Sequence, residues 1–167
     1  TTLFSFYWKH TIDTIKYYEF SVQDPQNLFI GGPMATLMAD EIERETGFQV
    51  IKGLLNENGK LRIHDDQTID EIVPDYSILD EIEYEYPAHD AYFAYMTRGC
   101  IRKCSFCAVP KIEPDYSSYI SIRTHIDQID SLFGKKANLL LMDNNVFGSD
   151  QFERIIDEIK DLGFQKG

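Results

Sequence analysis

Short apolar runs alternating with helix-length amphipathic stretches constrain this chain more than any other feature of its sequence. A strand that is followed by a helix and then by another strand pairs in parallel, because the helix makes the return crossing. Residues 3–7 read as a short apolar strand and 10–20 as a weakly patterned helix. Residues 27–30 read as a buried strand that stops at Gly31-Gly32, and Pro33 suits the first turn of the helix that follows. In that helix Met34, Leu37, Met38 and Ile42 recur at helical spacing, with Gly47 just past its end. Residues 48–51 make a further strand, and the order βαβαβ predicts a parallel sheet covered by helices.

The pattern then breaks. Asn56-Glu57-Asn58-Gly59 is turn chemistry. Acidic residues concentrate after it, at Asp65, Asp66, Asp70, Glu71, Asp75, Asp80, Glu81, Glu83 and Glu85, interrupted by Pro74. Such a run reads as a solvated connecting segment. The expected organisation is therefore a partial Rossmann-like domain over 1–60, an acidic linker over 61–90 and a second α/β region over 91–167. The whole chain carries 28 acidic against 16 basic residues, a formal net charge of −12. That surface repels phosphate backbones and argues against nucleic acid as a partner. No apolar run is long enough to span a bilayer and no signal peptide opens the chain, so a soluble cytoplasmic protein is expected.

Alternation resumes with a strand over 91–96, followed by a loop that runs through Pro114. A helix over 121–133 presents Ile122, Ile126, Ile129 and Phe133 on one face, and Gly134 closes it. Residues 139–142 are wholly apolar, as expected of a strand buried on both faces. A last helix begins near Asp150, where Glu153 would complete a capping box, and carries Phe152, Ile155, Ile156, Ile159 and Leu162 as its stripe. Gly163 caps it, and Phe164 reads as the start of one more strand. Two βα units cannot close a barrel, whose eightfold form takes about 250 residues. The chain also opens inside a strand, so a fragment cut from a larger protein is expected.

All three cysteines fall within eight residues, Cys100, Cys104 and Cys107, with the spacing C-x3-C-x2-C. An odd number with no distant partner argues against a disulfide framework and points to metal. Three thiolates on one loop can each take an iron of a four-iron cluster, where ordinary clusters of that kind use four cysteines. With no fourth cysteine, one iron keeps open positions, as catalytic metal sites require. The competing reading is zinc held by the three thiolates and one histidine, His89 or His125. Structural zinc sites more often use two separated ligand pairs. A metal-free α/β interaction module is the third reading. Arg98, Arg102, Lys103 and Lys111 make the loop locally basic, which would temper the charge of a cluster.

The segment Arg98-Gly99-Cys100-Ile101-Arg102-Lys103-Cys104-Ser105-Phe106-Cys107 resembles the radical S-adenosylmethionine superfamily, whose motif is C-x3-C-x-aromatic-C. The resemblance implies a partial (βα)6 barrel starting at the strand over 91–96. It implies a [4Fe-4S] cluster whose open iron binds the amino and carboxylate groups of S-adenosylmethionine. One electron from a flavodoxin- or ferredoxin-like reductant would then cleave the sulfonium bond, giving methionine and a 5′-deoxyadenosyl radical. That radical would abstract hydrogen from an unknown substrate, for methylation, methylthiolation or another radical transformation. Phe106 fills the aromatic position, whose neighbourhood packs against the adenine in the family. Met142-Asp143-Asn144-Asn145 departs from the family's Gly-Gly-Glu-like motif, and Asp143 and Asn144 would accept from the methionine amine in its place. Local turn chemistry is the alternative for those two residues. Gly31-Gly32-Pro33, the stretch 27–53 and Asp75-Tyr76-Ser77 resemble a cobalamin-binding-like Rossmann domain and its linker. The family's Asp-x-His-x-x-Gly motif for cobalt is not present, so these residues are not expected to bind cobalamin.

Overall fold

The computed structural model describes residues 7–61, 68, 71–79, 81 and 83–164. Among them the chain is mixed α/β, with six α-helices and a two-stranded parallel sheet. It divides into two compact units, Thr1–Ile72 with Ala108–Glu113 and Val73–Cys107 with Pro114–Gly167.

In the first unit, α1 (Trp8–Glu19) turns Trp8, Ile12 and Ile15 to one side, where helical spacing brings them together. They pack with Ile30, Met34, Ala35, Ala39, Ile42 and Val50 in one core. The strand expected over 3–7 lies outside the described residues, apart from Tyr7. The strands expected over 27–30 and 48–51 contract to a single parallel bridge between Ile30 and Val50. Two local bonds account for the contraction. Asp24 accepts from the Gln26 N–H at 3.0 Å and, with Pro25, winds Pro25–Asn27 into a 3-10 turn. The Val50 N–H is taken at 2.9 Å by the Glu43 carboxylate rather than by a strand. The single helix expected after Pro33 is two, α2 (Pro33–Leu37) and α3 (Ala39–Thr46), broken at Met38. Thr36, in the last turn of α2, bonds its hydroxyl back to the Gly32 carbonyl at 3.0 Å, a habit that bends helices. Gly32 itself holds φ 107, ψ −179, a conformation essentially confined to glycine. The short α4 (Val109–Ile112) belongs to this unit and packs on α2.

In the second unit β1 (Ala91–Ala94) pairs in parallel with β2 (Asn138–Leu141), Tyr92 opposite Leu139 and Ala94 opposite Leu141. Those four side chains join the core formed with α5 (Arg123–Phe133) and α6 (Phe152–Asp161), around Ile126, Ile129 and Ile155. The expectation of a β2 buried on both faces is corrected. Leu140 and Met142 are 42% and 47% exposed, because helices cover only one face of this strand. Tyr76, from the stretch read as a linker, is buried in the same core, and its hydroxyl accepts from the Phe93 N–H at 2.9 Å.

Helix α5 starts two residues later than the sequence suggests, since Ser121 and Ile122 are held from outside. Glu158 of α6 is buried and accepts from the Ser121 hydroxyl at 2.9 Å, the Ile122 N–H at 2.9 Å and the Tyr119 hydroxyl. It thus satisfies the start of a neighbouring helix, a task usually left to a capping side chain. Burial pushes its carboxyl up, but the three hydrogen bonds and the nearby Arg123 outweigh burial and hold it below its ordinary value. The capping box expected at Asp150 and Glu153 does not form. Ser149 accepts from the Gln151 N–H at 3.0 Å instead, and donates to the Ser118 carbonyl. Phe164 itself is not in a strand, and the residues after it, where the expected strand would run, lie outside the described residues. The Phe164 N–H bonds the Ile159 carbonyl while Gly163 bonds Lys160, the paired bonds of a Schellman end. The Phe164 ring then packs edge-on against Tyr92, 5.7 Å between centroids.

Candidate metal centre

Parallel pairing puts the C-terminal ends of β1 and β2 side by side, which is where open α/β sheets place their ligands. The chain leaving β1 passes through buried Met96 and Thr97 to Arg98, whose N–H and carbonyl exchange two bonds with Ser117 at 3.1 and 3.0 Å. The Arg98 guanidinium lies 3.7 Å from the centre of the Tyr95 ring. This antiparallel bridge closes the neck of a loop over residues 99–116, and all three cysteines sit in that loop. Within it the Cys107 N–H bonds the Cys104 carbonyl at 3.0 Å, so the x2 spacing is one β-turn.

The three thiols are free, Cys104 exposed and Cys100 and Cys107 half-buried. Phe106, inside that turn, is 91% exposed, with its ring offered to solvent. Cys100 Sγ receives two N–H donors, the Arg102 backbone at 3.4 Å and the Asn145 side chain at 3.6 Å. Two of the loop's sulfur-bearing residues are thus tied by backbone bonds, and the sulfur of the first also reaches the end of β2.

Asp143 stands just past β2 and reaches across to the end of β1. Its carboxylate accepts from the Met96 N–H, 3.2 Å to each oxygen, and from both the N–H and the hydroxyl of Thr97. Oδ1 carries most of these bonds, so the capacity left for a ligand lies on Oδ2. Asn144 is exposed beside it. We expect Asp143→Ala to loosen the strand ends, costing about 2 kcal/mol for the buried donors left without a partner. Asp143→Asn, which keeps an acceptor at Oδ1, should cost less than half as much. Urea denaturation of the two variants checks this.

The two candidate histidines are engaged elsewhere. His125 Nε2 lies 3.3 Å from the Phe93 carbonyl, and His89 pairs with the Tyr86 carbonyl at 2.8 Å and with Glu85. Among the described residues, no three His, Cys, Asp or Glu side chains close on a point fit for a single metal ion. A cluster makes a different demand, because each thiolate takes its own iron and the sulfurs stand around it. The loop supplies three free thiols as separate donors, one of them already receiving two N–H bonds.

Sequence reasoning missed Thr97 and Asn145. Both are invisible because their partners, Asp143 and Cys100, lie more than forty positions away along the chain. In the first unit, an open groove of about 960 Å³ is lined by residues 24–29, 47–52, Lys60 and Leu61. Among the described residues no helix is long and apolar enough to cross a membrane. Comparison with protein-family models, with curated proteins and with solved structures finds no match to this chain.

Proposed function

We propose that the loop over 99–116 holds a [4Fe-4S] cluster through Cys100, Cys104 and Cys107, and that the chain is part of a radical S-adenosylmethionine enzyme. One observation carries the reading: three accessible free thiols share a single loop, closed at its neck, at the C-terminal end of a parallel strand. On this reading β1, α5, β2 and α6 are the first two units of a partial (βα)6 barrel, and the Ile30–Val50 crossing belongs to a Rossmann-like neighbour. When bound, the cluster supplies the electron, drawn from a flavodoxin- or ferredoxin-like donor, that splits S-adenosylmethionine into methionine and a 5′-deoxyadenosyl radical.

The residues of the chain divide the remaining work. Cys100, Cys104 and Cys107 supply the ligands, and three thiolates leave one iron for the cosubstrate. Phe106 offers an exposed ring for the adenine. Asp143 ties the two strand ends, and its Oδ2, with Asn144, would accept from the amino group.

Anaerobic reconstitution with iron and sulfide tests the proposal. The expected result is about four irons and four sulfides per chain, with a broad thiolate-to-iron absorption band. Stoichiometric zinc with no iron retained would overturn it, in favour of a zinc-binding module.

A further inference from the structure

Cys100 differs from the other two cysteines in what its sulfur meets. Two N–H groups point at it, one from its own loop and one from the side chain of Asn145, beyond the second strand. Asn145 does not reach the sulfur by chance of rotamer alone. It opens the 3-10 turn Val146–Gly148, whose Gly148 N–H bonds back to the Asn145 carbonyl at 3.1 Å. The same turn lays the bare Cα of Gly148 against the amide. A Cβ at Gly148 would stand 2.5 Å from Asn145 Nδ2, closer than real contacts allow, and 3.2 Å from Ile101 Cγ2, tighter than most. Glycine there leaves the room in which the amide lies against the sulfur.

An N–H donor on a ligating thiolate has a definite electrostatic sense. Reduction adds an electron to the cluster and increases the negative charge on its sulfurs, so a donor stabilises the reduced form more than the oxidised form. We propose that Asn145, seated by Gly148, is a positioning residue that raises the reduction potential of the cluster through its hydrogen bond to Cys100. The inference rests on the cluster reading above and assigns a residue outside the cysteine motif to its electronic control.

The test is a redox titration of the reconstituted protein, dithionite supplying one electron per cluster and electron paramagnetic resonance reading the reduced fraction. In Asn145→Ala the reduced-to-oxidised ratio at fixed applied potential should fall about tenfold, the scale for one hydrogen bond to a charged group. For one electron that is a downward shift of about 59 mV. Gly148→Ala, which displaces the amide without deleting it, should shift the same way, and iron content should match the wild type in both. Asn145→Asp should fall furthest, since it replaces a donor with a negative charge. A wild-type protein that retains no iron overturns the cluster reading, and this role with it. A wild-type cluster whose potential is unmoved in Asn145→Ala and Gly148→Ala overturns the role of Asn145 alone.

Discussion

Cys104→Ala should leave a folded chain that can no longer assemble a cluster. The Cys104 side chain is exposed, so its truncation removes little packing, and melting should move by no more than about 0.5 kcal/mol in stability. Its backbone carbonyl, which closes the turn to Cys107, is untouched by the substitution. Iron retained after anaerobic reconstitution and gel filtration should nonetheless fall from about four per chain to below about one, because two thiolates cannot hold four irons. An intact cluster in this variant would contradict the ligand assignment. The pairing of a large loss of iron with an unchanged melting curve is the informative part. A cysteine kept for structure would show the opposite.

The second large effect is expected far from the cysteines. Glu158→Ala should destabilise the chain by about 3 kcal/mol, since it strands the Ser121 hydroxyl, the Ile122 N–H and the Tyr119 hydroxyl around a new cavity. Chemical denaturation monitored by far-ultraviolet circular dichroism measures it. The wild type should also lose stability in acid, with a sign that follows from the carboxyl. Its folded value lies below its ordinary one, so the stabilisation is complete above the ordinary value of 4.5. It is lost as pH falls through the folded value, where protonation cancels the acceptor. Glu158→Gln should flatten that acid slope while costing less than the alanine variant. A slope unchanged in Glu158→Gln would remove this carboxylate from the account.

These results bear on how much of the molecule its sequence discloses. Helix α5 and the end of α6 were legible because isoleucines at helical spacing and a following glycine are local signals. The first-unit strands were not, because Asp24 and Glu43 captured backbone groups that the apolar pattern had reserved for a ladder. Glu158 shares a helix face with Ile155 and Leu162, three residues from one and four from the other. An acid inside an apolar stripe was the only signal of its buried role. The cysteine loop was legible as a compact group of thiols, since their spacing is local to the chain. Its surroundings were not: the bond from Asn145 to Cys100 and the clamp from Asp143 to Thr97 join residues more than forty positions apart. Contacts of that kind exist only once β1 and β2 are in register.

The bridge between Arg98 and Ser117 has a consequence for the order of events. A loop whose ends are already tied has lost its closure entropy before any metal arrives. Small zinc domains are the contrasting case, in which the ion is the keystone and the polypeptide collapses without it. On the cluster reading proposed above, the cluster would be cargo loaded into a finished berth. Its removal by chelation or oxygen should empty the berth and leave the sheet and helices of the second unit standing.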